Sequence, residues 1–352
     1  MRVAIVNDLA VACEALRRAL ATDPSLSVAW IARDGVEAVA CAARDRPDLV
    51  LMDLVMPRMD GVAATREIMR TAPCPILVVT ATVSGNAALV YEALGAGALD
   101  AVNTPTLSGA GAVEGAAELV RRIHRVARAV CSDARADHLA ANRAECGATG
   151  GHDARAAADA KSPRAPILAI GASTGGPRAI AAVLATMPRP LPCAVVVVQH
   201  VASEFAGGFA EWLAVESRRT VRLARAGEAP RLDEVVIAGD DSHLVLCADG
   251  TLRASDEPRD LVHRPSVDEL FASLARHAAP AVAVLLTGMG RDGAEGLARL
   301  RAAGWHTIAQ DEATSVVWGM PGAAHRLGAA VETLPLGAIG AAAAAALARR
   351  RP

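Results

Sequence analysis

Short, wholly apolar runs alternate with helix-length amphipathic stretches twice along this 352-residue chain, and the alternation lapses only between residues 131 and 163. Runs such as Leu49–Met52 and Ala194–Val198 have no polar face to offer water, so they belong in a sheet covered on both sides. Strand followed by helix, repeated, demands parallel pairing with the helices crossing over the faces. In the first set, strands are expected at Val3–Val6, Ser27–Ile31, Leu49–Met52, Ile76–Thr80 and Leu99–Val102. Helical patterns lie between them at Val11–Ala21, Gly35–Arg44 and Val62–Arg70, with a last one near Glu114–Val130. The pattern predicts a doubly wound α/β domain over residues 1–130, with ligands at the carboxyl ends of its strands. The second set has strands at Ile167–Ile170, Ala194–Gln199, Glu234–Ala238, His243–Cys247 and Val282–Thr287, with another near His306–Ala309. It predicts a mostly parallel α/β domain over residues 164–352, closed by an Ala-rich helix from Gly337 to Ala348. Residues 131–163 are rich in Ala, Asp, Arg and Gly and end in Ser162-Pro163, which suits a linker. No internal repeat of solenoid period appears.

Just over half the chain is hydrophobic, enough for sizeable cores, and its formal net charge is −2. A near-neutral balance gives no electrostatic case for nucleic acid or an anionic membrane. The seven cysteines are scattered without paired spacing, as befits small buried hydrophobes in a reducing compartment. Met1 runs straight into a strand-like Val3–Val6, and the Ala-rich end is too short and weakly apolar to span a bilayer. A cytoplasmic protein without membrane insertion is expected.

Ser173 stands between a strand and a helix in Gly171-Ala-Ser-Thr-Gly-Gly-Pro177. Glycines allow the sharp turn, and Pro177 suits a helix start because its missing N–H would be unpaired there anyway. Converging N–H groups could receive an oxyanion, could cradle a phosphate, or the serine could simply cap the helix. Two more strands of this half end in reactive residues: Ala194–Val198 leads to Gln199-His200, and Val282–Leu286 to Thr287-Gly-Met-Gly-Arg-Asp292. With parallel strands, Ser173, His200 and Asp292 share one sheet edge. A serine needs an imidazole to take its proton, and the imidazole needs a carboxylate to fix its tautomer. Three such placements favour the triad over separate caps and a structural histidine. The order Ser, His, Asp differs from the α/β-hydrolases, where the acid precedes the histidine. A phosphate cradle would want a lysine beside the glycines, and Arg178 is the only nearby cation.

In the first half, Asn7-Asp8, Asp53 and Thr80 likewise end strands. Two carboxylates and a hydroxyl at one edge are hard oxygen donors of the kind Mg²⁺ prefers, although aspartates at strand ends can also merely begin turns.

These strings resemble known families. Gly171–Pro177, Gln199-His200, His263-Arg-Pro-Ser-Val-Asp268, Leu286-Thr-Gly-Met-Gly-Arg-Asp-Gly-Ala294 and Gln310-Asp-Glu-Ala-Thr-Ser-Val-Val-Trp-Gly-Met-Pro321 together resemble the chemotaxis protein-glutamate methylesterases, the CheB family. Met52-Asp-Leu-Val-Met-Pro-Arg-Met-Asp-Gly61 resembles the phosphorylation site of response-regulator receivers. The resemblance implies a flavodoxin-like receiver ahead of a Rossmann-like catalytic domain. It implies Ser173 as nucleophile, His200 as base, Asp292 as orienting acid and the Met289 N–H in the oxyanion hole. The substrates it implies are γ-glutamyl methyl esters on chemoreceptors, with receptor glutamines deamidated through the same acyl-enzyme. In the receiver it implies phosphorylation of Asp53 by a CheA-type histidine kinase, Mg²⁺ held by Asp8, Asp53 and the Val55 carbonyl, and Thr80 as switch. The receiver would cover the catalytic edge until phosphorylated. A non-catalytic docking regulator, acting as a phosphate sink, is the alternative, and the intact triad opposes it.

Three departures stand out. Val201-Ala202 follows His200 where the family has Met-Pro, which alters the lip of the site. Asn7 replaces a receiver acid, a mild change if its amide oxygen orients a metal-bound water. Thr104 takes the place of the receiver lysine, and no lysine occurs in the first 160 residues. The phosphorylated state thereby lacks a charge-assisted hydrogen bond of roughly 1.5–3 kcal/mol. The changes at Asn7 and Thr104 look more like the Wsp-type surface-sensing branch, whose receptor signal controls a diguanylate cyclase.

Overall fold

The computed structural model describes residues 1–81, 86–107, 113–132, 165–201, 203–259, 261 and 263–349. The expected linker, apart from its first two residues, lies outside them, as does Ala202.

Five parallel strands form the first sheet: β1 (Arg2–Val6), β2 (Ser27–Ala32), β3 (Leu49–Met52), β4 (Ile76–Thr80) and β5 (Asp100–Asn103). Their order is β2-β1-β3-β4-β5, the flavodoxin-like winding that reverses between β1 and β3 and opens a crevice at their carboxyl ends. Helices α1 (Ala10–Ala21) and α5 (Ala116–Ser132) pack together. The helices α2 (Gly35–Arg44), α3 (Gly61–Thr71) and α4 (Ala87–Ala96) pack in series. Between β5 and α5 lies a small antiparallel ribbon of β6 (Thr106–Leu107) and β7 (Val113–Glu114). Local chemistry sets the helix starts. The Asp34 side chain accepts from the N–H groups of Val36 and Glu37 at 2.9 and 3.0 Å, and Asp60 accepts from Ala63 at 2.7 Å. Each such cap is worth about 1 kcal/mol. At Gly61 the helix start presses on the backbone of β3's end, where a Cβ would lie 1.9 Å from the Asp53 carbonyl oxygen.

The second sheet has seven parallel strands. The chain supplies β8 (Ile167–Ala172), α6 (Gly176–Thr186), β9 (Ala194–Gln199), α7 (Ser203–Ser217), β10 (Thr220–Leu223) and β11 (Glu234–Ile237). The hairpin of β12 (His243–Leu246) and β13 (Leu252–Ser255) comes next. The chain then crosses through α8 (Val267–His277) to β14 (Val282–Leu285), α9 (Ala294–Ala302), β15 (His306–Gln310), α10 (Met320–Arg326), β16 (Glu332–Leu334) and α11 (Leu336–Arg349). The order β10-β11-β9-β8-β14-β15-β16 puts β8, the first strand, in the middle, so this domain too has its switch point there.

One strand expectation needs correction. His243–Leu246 does not join the parallel sheet. The chain turns back at Asp249-Gly250, with Gly250 at φ +83°, and pairs this strand antiparallel with β13. The strands β10, β13 and β16 were not expected, and neither were the ribbon strands β6 and β7. Strands β10 and β16 are the edges of the sheet and only partly buried, so they lack the apolar run that marks the central strands.

The two halves touch through α4, which packs on α6 and α7. Tyr91 of α4 is fully buried among Phe209 and Trp212 of α7, with ring centroids 5.3 and 6.2 Å away. Among the described residues no helix is long and apolar enough to cross a membrane.

Candidate active site and phosphoacceptor site

At the carboxyl edge of the second sheet, Ala172 of β8 pairs with Gln199 of β9, so Ser173 and His200 are the next residues out on neighbouring strands. The serine turn is tied down from several sides. Its N–H donates to the Thr287 carbonyl at 3.0 Å, and its carbonyl accepts from the Gly176 N–H at 2.8 Å. Gly175 has φ +76°, a left-handed conformation that glycine adopts without a Cβ penalty. The Gln199 amide Nε2 donates to the carbonyls of both Ser173 and His200, at 2.8 and 3.2 Å, so one side chain joins the two reactive strand ends.

The His200 ring meets Asp292 through Nε2, 2.7 Å from Oδ2. An ionised carboxylate only accepts, so that nitrogen carries the proton and Nδ1 has a free lone pair. His200 Nδ1 is buried and has no partner among the described residues. Asp292 itself is held by three further donors. The Ser266 hydroxyl and the Asp268 N–H reach Oδ1 at 2.8 and 3.0 Å, and the Val267 N–H reaches Oδ2 at 2.7 Å. Ser266 is the N-cap of α8, so the carboxylate sits on the positive end of that helix. Burial alone would push the Asp292 carboxyl up, but the bond to His200, the electrostatic pull of that ring and the backbone N–H groups of Asp268 and Val267 outweigh it. The acid therefore lies well below the ordinary carboxylate range and stays ionised. Its neighbour Asp268 is pushed up to about 6, chiefly by burial, against the Gly296 N–H and with the Asp292 charge adding to the shift.

Met289 follows Gly288, whose backbone lies close enough to Ser173 that an added Cβ would come within 2.8 Å of the serine Cβ. The Met289 N–H has no acceptor among the described residues. Thus Ser173 and His200 end neighbouring strands, Asp292 is bonded to His200, and Gly288-Met289 lies beside the serine. Sequence reasoning quoted Gln199, His263 and Ser266 in its motifs but gave them no role. The ring of His263 is stacked on that of His200, centroids 4.2 Å apart and planes 13° from parallel.

At the crevice of the first sheet, Asp8 follows β1 and Asp53 follows β3. Asp53 is buried, and its carboxyl is pushed up to about 6, first by that burial, with the Leu54 N–H opposing and the Asp8 charge adding. Leu54 donates to Oδ1 at 2.7 Å, and the Asn7 amide donates to Oδ2 at 2.9 Å. The Asn7 amide oxygen accepts the Leu9 N–H at 2.9 Å. Its nitrogen therefore faces Asp53, and the expectation that the oxygen orients a metal-bound water is replaced by a direct bond to that carboxylate. The buried Thr80 hydroxyl accepts from the Asn86 amide at 2.9 Å and keeps its own proton to donate. Thr104 stands alongside, its N–H on the Thr80 carbonyl at 2.9 Å. Two carboxylates and the Val55 carbonyl fit Mg²⁺, which keeps several waters and needs few protein ligands. Among the described residues no cluster of three or more His, Cys, Asp or Glu offers a fuller metal cage.

Comparison with known proteins bears on both edges. Residues 168–343 match the model of the CheB methylesterase family, and residues 3–108 match the response regulator receiver domain. A protein-glutamate methylesterase/protein-glutamine glutaminase of Cupriavidus metallidurans is 50% identical over 96% of this chain and 95% of its own length. Another, of Pseudomonas aeruginosa, is 47% identical over 96% of each. Among solved structures, the Thermotoga maritima CheB methylesterase catalytic domain is 34% identical, with a TM-score of 0.50, covering 52% of this chain and 99% of that one.

Proposed function

The chain belongs to the CheB methylesterase family, with a receiver domain ahead of the catalytic one, and on that premise we propose that Ser173, His200 and Asp292 carry its ester hydrolysis. The enzyme is a protein-glutamate methylesterase and protein-glutamine glutaminase regulated by phosphorylation. That activity removes the alternative of a docking regulator without chemistry.

The observation that carries the residue assignment is the state of His200. Its Nε2 is committed to Asp292, and its buried, unpartnered Nδ1 lies on the strand end next to Ser173. Nδ1 takes the Ser173 proton as Oγ attacks the γ-carbonyl carbon of a methylated glutamate. The Met289 N–H receives the oxyanion of the tetrahedral intermediate. Collapse breaks the bond to the methoxy oxygen, which leaves as methanol with the proton from Nδ1. Water then attacks the glutamyl-serine ester with the same base, releasing glutamate and restoring Ser173. On a glutamine side chain the leaving group is ammonia and the remaining steps are the same.

In the receiver, Asp53 accepts phosphate from a histidine kinase, and Thr80 donates to the phosphoryl group. Asp8, Asp53 and the Val55 carbonyl would hold Mg²⁺, which would supply charge neutralisation during phosphoryl transfer. Residues 1–130 form this regulatory unit, 131–163 the linker and 164–352 the catalytic unit. The substrates are the methylated signalling helices of chemoreceptors, and the work takes place in the cytoplasm, where receptor helices and kinase lie. The five cysteines found free among the described residues agree with that compartment. Methanol release from methylated receptor, with wild type against Ser173→Ala, tests the assignment. Loss of release is expected, and release at the wild-type rate would refute it.

A further inference from the structure

The string His263-Arg-Pro-Ser-Val-Asp268 has no role in the hydrolysis so far, although both its ends lie against the His200–Asp292 pair. Its far end holds the acid, through the Ser266 hydroxyl and the N–H groups of Val267 and Asp268. Its near end holds the base, through the His263 ring stacked 4.2 Å from that of His200.

The carboxylate alone does not fix the imidazole. Rotation about the bond between Cβ and the ring is broad for histidine. Nε2 lies closer to that rotation axis than Nδ1 does, so a swing of the ring moves it less and bends its bond to Asp292 before breaking it. Nδ1 moves further in the same swing, yet Nδ1 is the atom that must meet the Ser173 hydroxyl. A flat ring parallel to His200 within 13° restrains the one motion the hydrogen bond leaves open. Paired aromatic rings settle into either offset-stacked or edge-to-face arrangements. Here the backbone that carries His263 is the same short segment that clamps Asp292, so ring plane and carboxylate are held in one frame.

We propose that His263 is a positioning residue for the hydrolysis, its ring setting the plane of His200 so that Nδ1 points at Ser173. The inference rests on the Ser173–His200–Asp292 assignment. It predicts a defect in the chemical step and not in receptor binding, because His263 acts on the base and not on the substrate.

The test uses the full-length protein, phosphodonor present, and methylated receptor. His263→Ala should lower kcat by about 10–100-fold with KM within about 2-fold of wild type, the size expected from a slightly misplaced catalytic group. His263→Leu keeps the bulk but has no flat face, and should be as slow as the Ala variant. His263→Phe restores the flat face without ring nitrogens, and should recover most of the loss. The rate at which Ser173 is labelled by a small fluorophosphonate should follow the same order, with no receptor involved. Wild-type kcat in both the Ala and Leu variants would overturn the proposal. So would a Phe variant as slow as Leu, since the nitrogens and not the plane would then matter. Ser173→Ala run alongside separates the two levels. If it still releases methanol, the triad assignment itself fails. If it is dead while His263→Leu is fully active, only the positioning role fails.

Discussion

The Tyr91 hydroxyl donates to the Phe205 carbonyl at 2.9 Å, joining α4 of the receiver to the first turn of the helix that follows His200. The same helix α4 begins just after Asn86, whose amide donates to the Thr80 hydroxyl at 2.9 Å. Thr80 and the segment leading from His200 are therefore attached to the start and the middle of one short helix. Removing the tyrosine hydroxyl should loosen the contact by about 1 kcal/mol, the net worth of one buried hydrogen bond. Basal methanol release by Tyr91→Phe, without phosphodonor, should rise about 5-fold. The rise should persist in the Asp53→Ala background, and unchanged release in either case would contradict the link.

The receiver's missing lysine gives a second expectation. Thr104 lies beside Thr80 through its N–H, so the long side chain of a lysine at position 104 starts at the same sheet edge as Asp53, one strand beyond Thr80. Thr104→Lys should strengthen the phosphorylated conformation by a charge-assisted bond, about 1.5–3 kcal/mol. The ratio of activity with and without phosphodonor should increase, by about 10-fold at the lower bound. An unchanged ratio would mean that another group already serves the phosphoryl oxygens.

Asp53 makes stability depend on pH in an unusual direction. Its carboxyl is pushed up to about 6, mainly by burial, from an ordinary value near 3.8. The folded protein then binds a proton that the unfolded chain has already lost between about pH 4 and 6, so stability falls as pH rises through that window. Above it the ionised, buried group costs up to about 2–3 kcal/mol. Asp53→Asn should raise the melting temperature at pH 8, and the gain should vanish below about pH 4. Mg²⁺ added at pH 8 should also raise the melting temperature of wild type, and raise that of the Asn variant less. Thermal unfolding by circular dichroism measures all four cases.

Gln199 gives a fourth. Leu at this position cannot donate to the Ser173 and His200 carbonyls. Gln199→Leu should cost about 1–3 kcal/mol of stability in the catalytic domain, because buried carbonyls lose their partner. It should also lower kcat about 10-fold by freeing the two strand ends from one another. Full activity with lowered stability would make Gln199 a structural residue only.

How much of this was legible in the sequence follows from where each interaction lives. Apolar runs such as Leu49–Met52 and Ala194–Val198 are buried on both faces, so composition alone places them in parallel sheets. Their carboxyl ends are then where reactive residues gather, and Ser173, His200, Asp8 and Asp53 could be found that way. Strand β10 could not, since Thr220–Leu223 is a half-buried edge with no pattern of its own. Nor could the roles of His263 and Ser266, which arise only when α8 brings its N-terminus up to Asp292. Asn7 was legible as a substitution but not in its effect, because which end of an amide faces Asp53 is decided by the Leu9 N–H.

The phosphorylation control of Ser173 is tested most directly by initial rates of methanol release from methylated receptor, with and without a small phosphodonor and Mg²⁺, for wild type and Asp53→Ala. The donor should accelerate wild type and leave the Ala variant at its basal rate. Equal acceleration of both, or of neither, would contradict control of the esterase through Asp53.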